Sequence, residues 1–269
     1  IIMIMRQGIK ENRKNNKIIM NNIFANQHEY SFPYFAGWAD GDGCFKNVES
    51  KKTSDSYTLL IVNEEPVYQL SNLYQTSVVL GTPEKREWIN ASDIRKETAL
   101  CGQRLIHFCQ KVAPFLIDKQ NKALKILKKR GVENYSCSYK KHNKEQFIEY
   151  LAGFLEAEGC FIYKLKITQY GVRVSNYNKN ILEFIKDNLK KHFDIDVNIH
   201  QYKNAKLKVG PNGKTGEKYF PKQKYIYVIA MGGQKGMPVF KEILPYMTID
   251  YKIDAVKKII NHDYSRKKK

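Results

Sequence analysis

The chain has 269 residues, of which 42% are hydrophobic, so it can bury the core of one large domain or two small ones. Its 46 basic residues outnumber its 27 acidic ones, and the net charge of +19 indicates a polyanionic partner, most simply a nucleic acid. No run of about 18 apolar residues is present, so neither a membrane span nor a membrane partner is expected.

The cysteines point away from metal binding through thiolates. Five are present, none forms a CxxC pair, and nothing resembles a zinc site or a disulfide framework. Cys44 and Cys160 are predicted to be small buried packing residues in a reducing compartment.

A first folded half is predicted over residues 31–130, after an N-terminal extension over 1–30. Ser31 and Pro33 are typical of a helix start. The helix is expected to reach about Asp42 and to end at Gly43. Later segments are predicted as a hairpin (a strand from Cys44, a loop at 50–56 and a strand at 57–63), a helix (64–76), strands (77–80, 87–90 and 94–101) and helices (103–115 and 118–130).

A linker over 131–145 leads to a second half over 146–269, which repeats the order of elements. Its predicted helices cover 147–158, 179–192, 234–244 and 250–261. Its predicted strands cover 160–169, 171–177, 196–202 and 224–230. Each half therefore reads α-β-β-α-β-β-α-α, a mixed α+β unit.

A repeated phrase opens each half. Residues 34–45 read YFAGWADGDGCF, and residues 150–161 read YLAGFLEAEGCF. Two copies of one phrase in one chain predict two related halves, each presenting the same helix.

Small residues in these phrases favour close packing of the two helices. Gly37 and Gly41 are four residues apart, as are Gly153 and Ala157. Residues at this spacing lie on one helix face, and small side chains there let two backbones approach.

The acids that end the two helices are the candidate metal ligands. If the helices pack together, Asp42 and Glu158 emerge side by side at C-terminal ends, where the helix dipole disfavours each charge by roughly several tenths of a kcal/mol. A hard cation, Mg²⁺ or Mn²⁺, would relieve this repulsion and suits oxygen ligands. The carbonyl groups of Gly41 and Ala157 are candidates to complete its shell.

Two other interpretations concern the acids. An acidic residue before glycine can be a simple helix-stop signal, but the doubled phrase with its small-residue spacing disfavours that role here. The inner acids Asp40 and Glu156 also repeat. Lying two residues earlier, they point elsewhere, and structural or capping roles are expected for them.

FAGWADGDG and LAGFLEAEG resemble the signature of the LAGLIDADG homing endonucleases, and the doubled motif resembles the single-chain members. The resemblance covers residues 31–262. It implies two pseudo-twofold-related αββαββα halves, each with a four-stranded antiparallel saddle-shaped sheet over the DNA major groove, packed through the two motif helices. It also implies that the motif acids bind divalent metals and that both strands are cut across the minor groove, leaving short 3′ overhangs.

The resemblance also implies roles for individual residues. By position, Asp42 and Glu158 match the catalytic acids. Lys119 matches a lysine of the pocket that supports the scissile phosphate and the attacking water. Its counterpart in the second half stays open, because ungapped alignment gives Asp250 while Lys252, the second candidate catalytic lysine, lies close by.

Alternation along the predicted strands gives candidate DNA contacts. Val172 and Val174 alternate with Arg173 and Ser175, so one strand face suits a core and the other suits a groove. Arginine and lysine contact guanine edges or phosphates. The candidates are Lys46, Arg95, Lys96, Lys164, Lys166, Arg173, Ser175 and Lys224, and the lysine-rich loop at 203–222 suits phosphates.

The function predicted from the sequence is a monomeric, sequence-specific, divalent-metal-dependent DNA endonuclease that cuts double-stranded DNA at a long asymmetric site. An intron-encoded RNA maturase that binds its host intron RNA, and a DNA-binding regulator that has lost cleavage, are the alternatives. Acids at both positions 42 and 158 favour the nuclease. The richness in Ile, Lys and Asn, which have A/T-rich codons, suggests an organelle (chloroplast or mitochondrion), with phage or bacterial cytoplasm as the alternative.

Overall fold

The computed structural model describes residues 31–50, 53–62, 64–74, 76, 79–81, 95–132, 141–164, 169–203, 225–262 and 264. Within these ranges the side chains of residues 46–50, 53–62, 64–67, 79–81 and 95–97 are outside the description. The predicted extension at 1–30, the predicted strand at 87–90 and most of the loop at 203–222 lie outside the described residues.

The first half contains four helices and four strands within the described ranges. They are α1 (Phe32–Gly41), β1 (Cys44–Ser50), β2 (Thr53–Val62), α2 (Glu64–Tyr74), β3 (Val79–Gly81), β4 (Arg95–Cys101), α3 (Gly102–Val112) and α4 (Gln120–Lys129).

The second half repeats this succession, with one additional 3₁₀ turn. Its elements are α5 (Lys144–Glu158), β5 (Gly159–Lys164), β6 (Gln169–Asn176), α6 (Lys179–Phe193), β7 (Ile199–Lys203), β8 (Tyr225–Gly232), α7 (Gly233–Ile243), the 3₁₀ turn (Leu244–Tyr246) and α8 (Asp250–Ile260).

Each half carries one four-stranded sheet, and the two sheets have the same strand order. The orders are β1-β2-β4-β3 and β5-β6-β8-β7. All strand pairs are antiparallel. The predicted α+β class with two related halves is therefore confirmed, and the shared strand order shows that the repeat is structural as well as sequential.

The motif helices α1 and α5 are fixed at their starts by side-chain caps. The Ser31 hydroxyl accepts a hydrogen bond from the Tyr34 amide, and Pro33 sits in the first turn. Asn143 and Gln146 form a capping box at the start of α5. Because this box sets the start, α5 begins at Lys144, earlier than the predicted 147.

The two motif helices pack backbone to backbone. A Cβ atom built on Gly37 would lie 2.0 Å from the Tyr150 carbonyl oxygen, and one on Gly153 would lie 2.0 Å from the Tyr34 carbonyl oxygen. The two close approaches are equivalent, because each joins the motif glycine of one helix to the motif tyrosine of the other. The small residues predicted to permit close approach are therefore the ones at the crossing.

Further predicted boundaries also differ from the structure. The predicted loop at 50–56 is mostly strand, because β2 starts at Thr53 and Ser56 pairs with Val48. Backbone pairing needs no apolar side chains, so the polar run concealed a strand. The strand predicted from 196 begins only at Ile199, although Val197 is buried, and the strand predicted to run from 160 to 169 ends at Lys164.

The prediction that two cysteines are buried is wrong. Cys44 and Cys160 are both exposed. The glycine before each, Gly43 or Gly159, takes the buried position, so the alternation of the strand turns the cysteine to the outer face. Cys160 there lies opposite Arg173.

The core fills the space between the sheets and the helices. Its large fully buried side chains include Trp38, Phe108, Phe154 and Phe240. Among the described residues, no helix has the length and apolar character needed to cross a membrane.

Candidate active site

The two motif helices end beside one another. Helix α1 ends at Gly41 with Asp42 as its C-cap, and Glu158 is the last residue of α5. A Cβ atom on Gly41 would lie 2.4 Å from the Ala157 Cβ and 3.1 Å from the Glu158 Cγ. The structure therefore brings together the four residues predicted as metal ligands.

The charges at these helix ends act on each other. Burial, and then the negative charge of Asp42, raise the pKa of Glu158 from 4.5 to about 6. Lys119 and Lys252 act in the opposite direction but are outweighed. A cation bound by the two carboxylates would favour the charged form of Glu158 and lower its pKa again.

Lys119 closes the C-terminal end of α1. Its ammonium group donates hydrogen bonds to the carbonyl oxygens of Ala39 at 2.7 Å, Asp40 at 2.7 Å and Gly41 at 2.9 Å. An ammonium has three protons, so all three are engaged. Burial lowers the pKa of Lys119.

Lys252 takes the matching place in the second half. Its ammonium donates to the carbonyl oxygens of Leu155, at 3.5 Å, and Glu156. Asp250, the position given by ungapped alignment, is exposed at the first residue of α8. By geometry, then, Lys252 is the counterpart of Lys119.

The first inner acid is buried and holds the segment that carries Lys119. The Asp40 carboxylate accepts hydrogen bonds from the Ile117 amide at 2.7 Å and the Lys119 amide at 2.9 Å. A third comes from the Tyr150 hydroxyl at 2.9 Å. These hydrogen bonds give Asp40 the structural role that was expected for it.

The second inner acid, Glu156, is also buried and holds the segment that precedes α8 in its own half. The Glu156 carboxylate accepts from the amides of Thr248 at 2.6 Å and Ile249 at 2.7 Å, and from the Tyr34 hydroxyl at 2.5 Å. Both inner acids therefore hold the segments that carry Lys119 and Lys252.

The acids at the two helix ends, Asp42 and Glu158, suit a hard divalent cation. Their side chains supply two carboxylates, and the nearby carbonyl groups of Gly41 and Ala157 add only oxygen. The Gly41 carbonyl already accepts one hydrogen bond from Lys119, which leaves it one lone pair. Within the described ranges, no group of three or more His, Cys, Asp and Glu residues is placed to hold a metal.

The outer face of the second sheet carries the best-described DNA-contact candidates. Val172 and Val174 are buried, whereas Arg173 is exposed and its guanidinium lies 6.0 Å from the centre of the Tyr202 ring. Lys164 is exposed and Ser175 is half-buried. This strand alternates as its sequence predicts.

The remaining candidates are only partly described. Lys46 lies in β1, and Arg95 and Lys96 lie in β4, with side chains outside the description. Lys166 and Lys224 lie outside the described residues.

Three tyrosines near the site were missed by the sequence analysis. Tyr34 and Tyr150 hydrogen-bond to inner acids across the helix interface, and Tyr202 contacts Arg173. One signal was present, because Tyr34 and Tyr150 occupy the same first position of the repeated phrase. No such repeated position indicates the contact of Tyr202 with Arg173.

Comparison with known proteins supports a specific domain class. Residues 145–233 match the family model described as a LAGLIDADG-like domain. No curated protein matches the sequence. Among solved structures, the chain is similar to I-DmoI in complex with DNA and Ca, at 15% identity over 84% of this chain and 96% of that one, with a TM-score of 0.46.

Two further structures give similar values. The LAGLIDADG meganuclease I-AabMI bound to uncleaved DNA is 14% identical over 86% of this chain and 89% of its own, with a TM-score of 0.44. The homing endonuclease I-WcaI bound to its DNA recognition sequence is 13% identical over 83% and 86%, with a TM-score of 0.42. Because these scores are below 0.5, the fold assignment rests on the strand order and helix packing of the chain itself.

Over residues 145–233, the matching family model agrees with the family that the motif resembles. The first half has the same motif and the same strand order. The two halves therefore share one motif and one strand order within a single chain.

Proposed function

We propose that the protein is a site-specific DNA endonuclease that cuts both strands of a long asymmetric double-stranded site and leaves short 3′ overhangs. One observation carries the proposal: Asp42 and Glu158, from two related halves, meet at the ends of two packed helices. Opposed carboxylates with only oxygen donors around them are suited to phosphodiester hydrolysis assisted by a divalent cation.

The cofactor proposed is Mg²⁺ or Mn²⁺, held by the Asp42 and Glu158 carboxylates with the Gly41 and Ala157 carbonyl groups close by. When bound, such an ion stabilises negative charge on a phosphate and lowers the pKa of a bound water. Lys119 holds the end of α1 in place through three carbonyl groups. A rigid helix end keeps the Asp42 carboxylate in one position, as preorganised catalysis requires.

The substrate follows from charge and from the two sheets. The net charge of +19 suits a phosphate backbone, and Arg173 is exposed on a sheet face. Because one chain supplies both carboxylates, a monomer is sufficient for cutting both strands. Because the strand residues of the two halves differ, an asymmetric site is expected.

An RNA maturase and a cleavage-deficient regulator remain alternatives on the same fold. Neither needs acids at both helix ends, and host intron RNA would be the partner of the first. The charge repulsion between Asp42 and Glu158 is a cost that metal binding would offset. The nuclease is therefore the function the site supports best.

Removing one metal-binding charge at a time tests the proposal. We expect Asp42→Asn and Glu158→Gln each to lose double-strand cleavage while keeping specific DNA binding, because both variants preserve shape. The target would first be selected from a randomised duplex library with Mg²⁺, and cleavage and binding would then be measured on that target.

Asp187→Asn is the matched control, since Asp187 is exposed on α6 away from the helix ends. It should cleave like the unaltered protein. Full cleavage by Asp42→Asn or Glu158→Gln, or cleavage by the unaltered protein in excess chelator, would exclude the proposed site.

A further inference from the structure

Two tyrosines cross the interface between the motif helices. The Tyr150 hydroxyl, on α5, donates to the Asp40 carboxylate of α1 at 2.9 Å. The Tyr34 hydroxyl, on α1, donates to the Glu156 carboxylate of α5 at 2.5 Å. All four residues are buried, so each half inserts one donor into the interior of the other.

Each acid that receives a tyrosine also holds the lysine-bearing segment of its own half. Asp40 accepts the backbone amides of Ile117 and Lys119, and Lys119 in turn caps α1. The connection therefore runs from Tyr150 of the second half, through Asp40, to Lys119 of the first half.

The second connection runs in the opposite direction. Glu156 accepts the amides of Thr248 and Ile249, which directly precede α8, and Lys252 on α8 reaches the end of α5. This connection runs from Tyr34 of the first half, through Glu156, to Lys252 of the second half.

The burial of these residues strengthens the hydrogen bonds between them. Asp40 is 2% exposed, and burial raises its pKa, whereas the amides of Ile117 and Lys119 and the Tyr150 hydroxyl lower it. A buried carboxylate holds its donors strongly because the local dielectric is low. Removing one of three donors weakens the hold on the carboxylate, and therefore on the two amides that donate to it.

We propose that Tyr150 and Tyr34 are crossed positioning residues, each of which sets the place of the candidate catalytic lysine in the opposite half. Tyr150 positions Lys119, and Tyr34 positions Lys252. The inference rests on the proposed nuclease function and adds a device that keeps the two halves of the active centre in register. Neither half is complete without the other, because each lysine segment depends on a hydroxyl from across the interface.

Measuring the cutting rate of each DNA strand separately tests whether each tyrosine positions the lysine of the opposite half. Both strands of the selected target are labelled differently, and the single-turnover rate of each cut is measured. Lys119→Met and Lys252→Met first identify which strand depends on each lysine. Tyr150→Phe should then slow the strand that Lys119→Met slows, by between about 10- and 100-fold, as expected for a small misplacement. Tyr34→Phe should slow the strand that Lys252→Met slows.

Tyr74→Phe is the matched control. Tyr74 is fully buried, and its hydroxyl hydrogen-bonds to His107 at 3.0 Å in the first half, away from the helix interface. It should lower the melting temperature about as Tyr150→Phe does and leave the ratio of the two cutting rates unchanged. Equal slowing of both strands by Tyr150→Phe, slowing of the wrong strand, or no slowing would overturn the proposal.

Amide hydrogen exchange tests the same connections without any cleavage. Tyr150→Phe should speed exchange at Ile117 and Lys119 but not at Thr248 and Ile249, and Tyr34→Phe should do the reverse. If the unaltered protein cuts no DNA while this crossed pattern is seen, the proposed function fails and the positioning network stands. Uniform or uncrossed exchange would reject the network whether or not the protein cuts DNA.

Discussion

At the scale of single residues, the Glu158 carboxyl should make metal binding depend on pH. Its pKa rises from 4.5 in the unfolded chain to about 6 in the fold, through burial and Asp42. The proton therefore stabilises the metal-free fold fully below pH 4.5, and this contribution is lost as the pH rises through about 6. A metal ligand must be deprotonated, so protons and metal compete.

The expected result is a rise in melting temperature with Mg²⁺ that is larger at about pH 7.5 than at about pH 5. Thermal unfolding at both pH values, with and without Mg²⁺, measures it. Glu158→Gln is the control, and it should abolish most of the pH dependence of the Mg²⁺ effect. An Mg²⁺ effect of equal size at both pH values would contradict the placement of the ion at this carboxyl.

Among the DNA-contact candidates whose side chains are described, Arg173 is placed to read a base. It is exposed between buried Val172 and Val174, and its guanidinium lies near the Tyr202 ring, which restricts its motion. Arg173→Ala should cost about 1–3 kcal/mol of binding and relax preference at one or two adjacent base pairs. Binding profiles over single-substituted targets measure this. Weakening by the same factor on every target would instead indicate a phosphate contact.

At the scale of elements, the crossing of α1 and α5 depends on two glycines. A methyl group on Gly37 or Gly153 would meet a backbone carbonyl 2.0 Å away, and backbone cannot move aside as a side chain can. Gly37→Ala should lower the free energy of unfolding by about 1–3 kcal/mol or more. Chemical denaturation measures the change.

Gly232→Ala is the control for this pair. Gly232 precedes α7 with a φ of −66°, and a Cβ atom there would meet nothing within 4 Å. Glycine is preferred over alanine at a helix N-cap, but alanine lowers the entropy of the unfolded chain, so the two effects oppose each other and stability should change by less than about 1 kcal/mol. Equal stability of Gly37→Ala and Gly232→Ala would mean that the helices are not packed as closely as described.

At the scale of the whole molecule, the charge of +19 should make binding steeply dependent on salt. If the protein neutralises about 6–10 phosphates, affinity should fall by about 10³–10⁵ between 50 and 200 mM salt. Titrations of the selected duplex at several salt concentrations give the slope. A nearly flat response would remove nucleic acid as the reason for the charge.

The sequence by itself determined the features that depend on neighbouring residues. The start of α1 was predicted from Ser31 and Pro33. The buried face of β6 was predicted from the alternation of Val172, Arg173 and Val174. The repeated phrase also gave the two halves, the close helix crossing and the pairing of Asp42 with Glu158. All of these features follow from the spacing of residues along a helix or strand and from the repeated phrase, which can both be read from neighbouring residues.

Only the tertiary structure decided features that join distant segments. Lys252, rather than Asp250, reaches the end of α5, and the hydroxyl of Tyr34 reaches Glu156 across the interface. The exposure of Cys44 and Cys160 likewise depends on which face of each strand meets the helices. Contacts between residues far apart in the chain are fixed by packing, because many local arrangements fit one sequence pattern and close packing of the interior selects among them.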